Sequence, residues 1–201
     1  MVISVERNLG SAELTDLALS QPTVSNHAAL LQGQVLLDSR CCPQGGGAVT
    51  AHMYVPLTRA QLWPQLTSYN RWPQYFPNIT HSEVLETVKT DGARHRRLYQ
   101  VGRKGFLMLT VEVEIYLKVI ETLGDAPQGG ASCHRIQFLF ESGTFSHFAA
   151  DLTLQDFSKG TLLTYSVEAN PLIPVPSFLI EQAMRFDLPG NMEQMRRVLC
   201  S

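Results

Sequence analysis

The chain has 201 residues, 44% hydrophobic and 17% charged, with a formal net charge of −2. That length fits one domain, or one domain with an appendage, and buries a full core without disulfide or metal staples. The apolar share excludes a wholly disordered chain, the modest charge excludes a long solvated coiled coil, and nothing basic enough for a nucleic-acid partner is present.

In chain order, a short helix is predicted from Ser11 to Leu19, with Pro22, Thr23, Ser25 and Asn26 interrupting it. Residues 1–32 are read as an N-terminal extension with the character of a mobile terminus. Strand character begins at Gln34–Leu37, and Ala48–Val55 follows with Val49, Ala51, Met53 and Val55 on one face. Pro56 ends that strand, and Thr58 caps a short helix carrying Leu62, Trp63 and Leu66. An aromatic and proline segment, Tyr69–Pro77, fits one further helical turn and a loop.

Strands are then predicted over Ser82–Val88 and Arg94–Val101, joined by Thr90-Asp91-Gly92. Phe106–Ile120 is the cleanest. Leu109, Val111, Val113, Ile115, Leu117 and Val119 share one face, while Glu112, Glu114 and Lys118 share the other. The second set reads as a solvated charged strip open to cross-strand pairs with His95–Arg97. Cys133–Glu141, Phe148–Leu154 and Leu162–Ala169 complete the sheet. A last helix starts near Ser177, and Ile180, Met184, Leu188, Met192, Met195 and Leu199 form one apolar stripe along it; Pro189 and Gly190 are expected to kink it.

The expected fold is α+β. A curved antiparallel sheet of about six to seven strands wraps around a long C-terminal helix, with two short helices after the first strand. A long helix laid across a curved apolar sheet leaves room for an apolar ligand.

No run of apolar residues approaches the roughly 20 of a membrane-spanning helix. Met1–Gly10 lacks a secretory apolar core, and Glu13 and Asp16 speak against a transit peptide. The expectation is a cytoplasmic chain with no integral membrane segment, leaving transient membrane contact open. Cys41, Cys42, Cys133 and Cys200 form no metal-ligand spacing and read as free thiols. No metal and no cofactor are expected, and the sequence leaves the oligomeric state undefined.

Four segments, in order, resemble a known family. They are Pro56–Trp63, Tyr69–Pro77 with Ser82–Leu85, Glu141–Phe145, and Gly160–Tyr165 running through Pro171–Pro176 into the last helix. Together they are similar to the START-like (helix-grip, Bet v 1-like) superfamily, in its polyketide cyclase/dehydrase and coenzyme Q-binding branch. The resemblance implies a ligand-binding domain over residues 33–201, with a cavity between sheet and C-terminal helix. It also implies a hydrophobic small-molecule ligand such as a lipid or an isoprenoid quinone, bound for carriage or shielding. A cyclase or dehydratase acting on an aromatic or polyketide-like substrate is the alternative. The family offers no universal catalytic residues to carry over.

Alternation and helical spacing nominate the ligand-facing residues. Trp63, Tyr69, Trp72 and Phe76 come from the short helices. Leu109, Val111, Val113, Ile115, Phe138 and Phe140 come from the strands, and Met184 and Leu188 from the last helix. Packing alone accounts for many of these, since buried rings stabilise a core whether or not a ligand is present. For the enzymatic alternative, His134 (in phase with Ile136 and Phe138) and Tyr165 (in phase with Leu163 and Val167) are the inward acid/base candidates. Asp151, out of phase with Ala150 and Leu152, is expected to face out.

Overall fold

The computed structural model describes residues 24–40, 46–90, 93–106, 109–124, 132–172 and 176–201. The predicted helix at Ser11–Leu19, the Asp91-Gly92 turn, Cys41 and Cys42 lie outside these residues.

The eight strands are β1 Val35–Arg40, β2 Gly47–Val55, β3 Ile79–Thr90, β4 Ala93–Phe106, β5 Leu109–Leu123, β6 Cys133–Gly143, β7 Phe145–Phe157 and β8 Gly160–Pro171. They form one antiparallel sheet in the order β1-β2-β8-β7-β6-β5-β4-β3. Helix α1 is Val24–Leu31, α2 Arg59–Leu66, α3 Trp72–Tyr75 and α4 Ser177–Leu199; a 3-10 turn at Tyr69–Arg71 leads into α3. The α+β class and the helix laid across a curved sheet agree with the sequence.

Several expectations are corrected. The sheet has eight strands, not six or seven, because even the short β1 finds a full partner, pairing from Val35↔Met53 to Arg40↔Ala48. The short helices follow the second strand, not the first. Phe106 belongs to β4, and β5 starts at Leu109. Residues 102–105, left between the two predicted strands, continue β4 in an unbroken register from Ala93↔Thr122 to Phe106↔Leu109, Gly102 and Gly105 included. Ladder pairing outweighs the entropy cost of two glycines there.

A helix occupies Val24–Leu31, where Ser25 and Asn26 suggest an interruption; it rests on β1 and β2 and buries Leu30 completely. Helix α4 runs unbroken through Pro189, with Pro176 rather than Ser177 in the N-cap position.

The register explains the layout of the core. Leu37, Ala51, Tyr165, Leu152, Ile136 and Glu121 lie in one row across the inner face. Val49, Ala51, Met53 and Val55 are buried along β2, and Ile115, Leu117 and Val119 along β5. The register shifts in the β3–β4, β5–β6 and β7–β8 pairings, and such irregularities increase strand bending and twist. The capping box forms as the sequence suggests. Thr58 Oγ1 accepts from the Gln61 amide at 3.3 Å, and Gln61 Oε1 accepts from the Thr58 amide at 2.9 Å.

On the outer face, Glu112 pairs with Arg103 and Glu114 accepts from the Tyr99 hydroxyl. The expected pairing of this strip with His95–Arg97 is not what forms: Arg97 goes to Glu141 at 2.7 Å and Arg96 turns inward. Asp151 does lie on the face opposite Leu152, but it is largely buried and held by Arg135 Nε at 2.6 Å. Burial pushes its carboxyl above the usual range, against the pull of Arg135.

Candidate ligand-binding cavity

The interior between sheet and α4 has two ends. At the closed end, Leu188, Met192, Met195 and Leu199 of α4 are buried, as the helical stripe requires. Trp72 is the centrepiece. Its ring lies 4.9 Å from Phe138 and stacks 5.4 Å from Phe76, and its Nε1 donates to Leu66 O at 3.0 Å. Tyr165 packs edge-on to Trp72 at 6.5 Å and against Phe76 at 5.5 Å. Burial alone raises its hydroxyl pKa.

Behind these rings lies a buried polar knot that sequence reading missed. Glu121 is only 3% exposed, on the inner face beside Val119. It accepts from Tyr69 Oη at 2.9 Å, Arg96 Nε at 2.6 Å and Arg94 Nη1 at 3.4 Å, while the Arg96 guanidinium sits 5.5 Å over the Tyr69 ring. Burial and the neighbouring carboxylate drive the Tyr69 pKa strongly upward. Three donors satisfy a charge that would otherwise be very costly to bury. The only sequence signal was Glu121 continuing the apolar phase of Ile115, Leu117 and Val119.

The other end is open. A cavity of about 270 Å³ lies between the first half of α4 and the strand ends, with one side open to solvent. Val111 and Val113 of β5, Ile79 of β3, Gly102 of β4, Phe145 of β7 and Ala169 and Pro171 of β8 make the sheet wall. Leu179, Ile180, Ala183 and Met184 of α4 make the roof. Asn78, Arg103 and Asp187 are the polar residues that border it, and polar atoms contribute almost nothing to the wall.

Gly47 fixes the height of the roof. A Cβ there would sit 2.7 Å from Met184 Sδ and 2.8 Å from the Glu181 Cα, so only glycine lets α4 descend onto β2 at that point. Gly102 keeps the opposite wall thin, since a Cβ there would meet Val113 Cγ2 at 3.2 Å. Phe145 is braced edge-on by Phe148 at 5.6 Å.

Of the residues nominated from sequence, the structure brings Val111, Val113 and Met184 to the cavity wall. Tyr69, Trp72, Phe76, Ile115, Phe138 and Leu188 are buried in the packed core, with Trp63 and Phe140 half-buried against it. Leu109 opens β5. Neither acid/base candidate borders the cavity. Tyr165 is stacked among the aromatic rings. His134 sits at the far end of the sheet, 5.2 Å edge-on to Trp63, its Nδ1 3.3 Å from Arg59 Nη1. Arg59 also makes a two-pronged pair with Asp156, at 2.7 and 2.8 Å, that ties α2 to the end of β7. Ile180 belonged to the predicted stripe one turn before Met184; Ala183, Gly102 and Ala169 carried no signal of their own.

These features define a helix-grip domain with an apolar cavity under its long helix. The chain belongs to the polyketide cyclase / dehydrase and lipid transport family, whose model matches residues 55–196. The fold is also that of a STAR-related lipid transfer protein from Xanthomonas axonopodis, at 17% identity and TM-score 0.63, covering 83% of this chain and 94% of that one. Human STARD10 matches at 12% identity and TM-score 0.60, covering 83% and 69%. The lipid transfer and protein localization domain of human StarD13 matches at 11% identity and TM-score 0.60, covering 82% and 83%. No curated protein sequence matches the chain. Among the described residues no helix is long and apolar enough to cross a membrane, and no cluster of metal-ligating side chains occurs.

Proposed function

We propose that this protein binds a hydrophobic small molecule in the cavity under α4 and carries or shields it. The carrying observation is an unfilled apolar space of about 270 Å³, walled by Val111, Val113, Ile180 and Met184, beside a packed aromatic core. Empty apolar volume forfeits dispersion contacts and is destabilising unless something occupies it. Membership of a lipid-transport and cyclase family supports the same reading. Val111, Val113 and Met184 are proposed to touch the ligand. The aromatic residues around Trp72 are proposed to hold the scaffold.

Ligand exchange is proposed to occur at a lipid surface. Leu172, Phe178 and Phe186 are 66%, 67% and 76% exposed, and each stands beside a residue that borders the cavity: Pro171, Leu179 and Asp187. The cyclase alternative needs an acid or base at the cavity. Asp187 is the carboxylate that borders the cavity, and neither His134 nor Tyr165 is among the residues lining it.

The test is to purify the protein from its host without detergent, extract it with organic solvent and examine the extract by mass spectrometry. A stoichiometric apolar compound is the expected result. An empty extract, together with no fluorescence gain when 1-aminonaphthalene is added to the protein, would overturn the proposal.

A further inference from the structure

The cavity's size and walls say more about what fills it. An engineered apolar cavity of about 150 Å³ accommodates one benzene, so about 270 Å³ corresponds to roughly eleven carbons. That is below the lower end of ordinary ligand pockets, about 300 Å³. Among the described residues, packed side chains close its inner sides. Toward the closed end, the Phe76, Tyr165, Trp72 and Phe138 rings are already in mutual contact. The roof cannot rise without lifting α4 off Gly47, and Phe145 is braced by Phe148.

The walls also constrain chemistry. A group with several oxygens would lose its water hydrogen bonds on entering and find almost no polar atoms in return, a cost of a few kcal/mol per group. Any polar end must therefore stay at the open side, near Asn78, Arg103 and Asp187.

Resting on the ligand-binding reading above, we infer that the enclosed part of the ligand is a single apolar chain or compact ring system of about eleven carbons, without internal polar groups, and that two-chain lipids are excluded. A polar head is carried outside. Ala183, a small roof residue, then acts as a specificity determinant: a larger side chain there shortens the chain that fits.

The test displaces 1-aminonaphthalene, a ten-carbon fluorescent probe within the inferred size, from the full-length protein with n-alcohols from octanol to hexadecanol, and in parallel measures transfer of a fluorescent phosphatidylcholine between dioleoylphosphatidylcholine vesicles. Affinity is expected to rise about fourfold per methylene at first. It should level off near undecanol or dodecanol, with no phosphatidylcholine transfer. In Ala183→Leu, still folded by thermal melting, the levelling point should move about three carbons shorter. An affinity that climbs steadily to hexadecanol, transfer of phosphatidylcholine, or a levelling point unmoved in Ala183→Leu overturns the size inference and leaves ligand binding standing. Failure of every alcohol and of 1-aminonaphthalene itself to bind overturns the ligand-binding reading and the inference with it.

Discussion

The two halves of α4 cover the same sheet and do opposite things. From Leu188 onward, Met192, Met195 and Leu199 are between 0% and 5% exposed and interlock with α3 and the aromatic rings. Before Leu188, Ile180, Ala183 and Met184 face a void, and Phe178 and Phe186 face solvent. What separates the halves is side-chain volume on the opposing wall. Trp72 and Phe138 fill the closed end, whereas Val111, Val113, Ala169 and Gly102 leave the other end unfilled. Packing is concentrated at one end, and the other leaves apolar surface uncovered.

The most direct way to break this contrast is to hollow out the closed end. Trp72→Ala removes the central ring and orphans the Leu66 carbonyl, at a cost of about 3–5 kcal/mol. At about 2–4 °C per kcal/mol for a chain of this size, the melting temperature should fall by about 10 °C or more. Val113→Ala, at the edge of the existing void, should cost only about 1 kcal/mol by the same measurement. Equal losses at the two sites would mean the ends are not packed differently. Gly47→Ala comes next. Its methyl would collide with the α4 backbone at Glu181, not merely with a flexible side chain, so about 1–3 kcal/mol and the binding of an apolar probe should be lost together.

The closed end should also reveal itself in alkali. Burial raises the hydroxyl pKa of Tyr69, Tyr75 and Tyr165 above the ordinary value of about 10, desolvation being the largest cause in each. The folded state then holds its tyrosine protons more tightly than the unfolded chain. The stabilisation is fully present below about pH 10 and is lost as pH rises through and beyond that value. Denaturant midpoints measured from pH 8 upward should be level at first and fall above about pH 10. Tyr165→Phe should flatten part of the slope. A midpoint constant through this range would contradict the buried, proton-retaining placement of these rings.

How much of this was legible depended on periodicity. The period of two along β5 and the i, i+4 stripe of α4 mark the inner faces correctly, because burial of one face imposes that spacing directly. Glu121 illustrates the limit. Its position in the apolar phase was visible, but its partners Arg94 and Arg96 lie on a different strand and Tyr69 on a distant turn, and only the register brings them together. The cavity was less legible still. A void is a property of opposing surfaces, so Val111 reads the same whether a ring or empty space faces it. Gly102 gave no signal at all, because the approach of Val113 that favours a residue without a side chain there exists only once β4 and β5 are paired.

The smallest expected effect separates a void from a wall most cleanly. Ala183 lies within α4, where a leucine is nearly as good a helix former as alanine, so backbone propensity changes little. Its side chain borders the cavity, so Ala183→Leu adds carbons to empty apolar space rather than to packed atoms. Cavity filling of this kind stabilises by about 0.5–2 kcal/mol. The melting temperature should therefore rise by a few degrees as the affinity for 1-aminonaphthalene falls. The opposed signs are the point, because a substitution that merely disturbed the fold would lower both. Were Ala183→Leu to lower the melting temperature, the roof of α4 would have to be packed like the closed end, and the difference between the two halves of the helix would disappear.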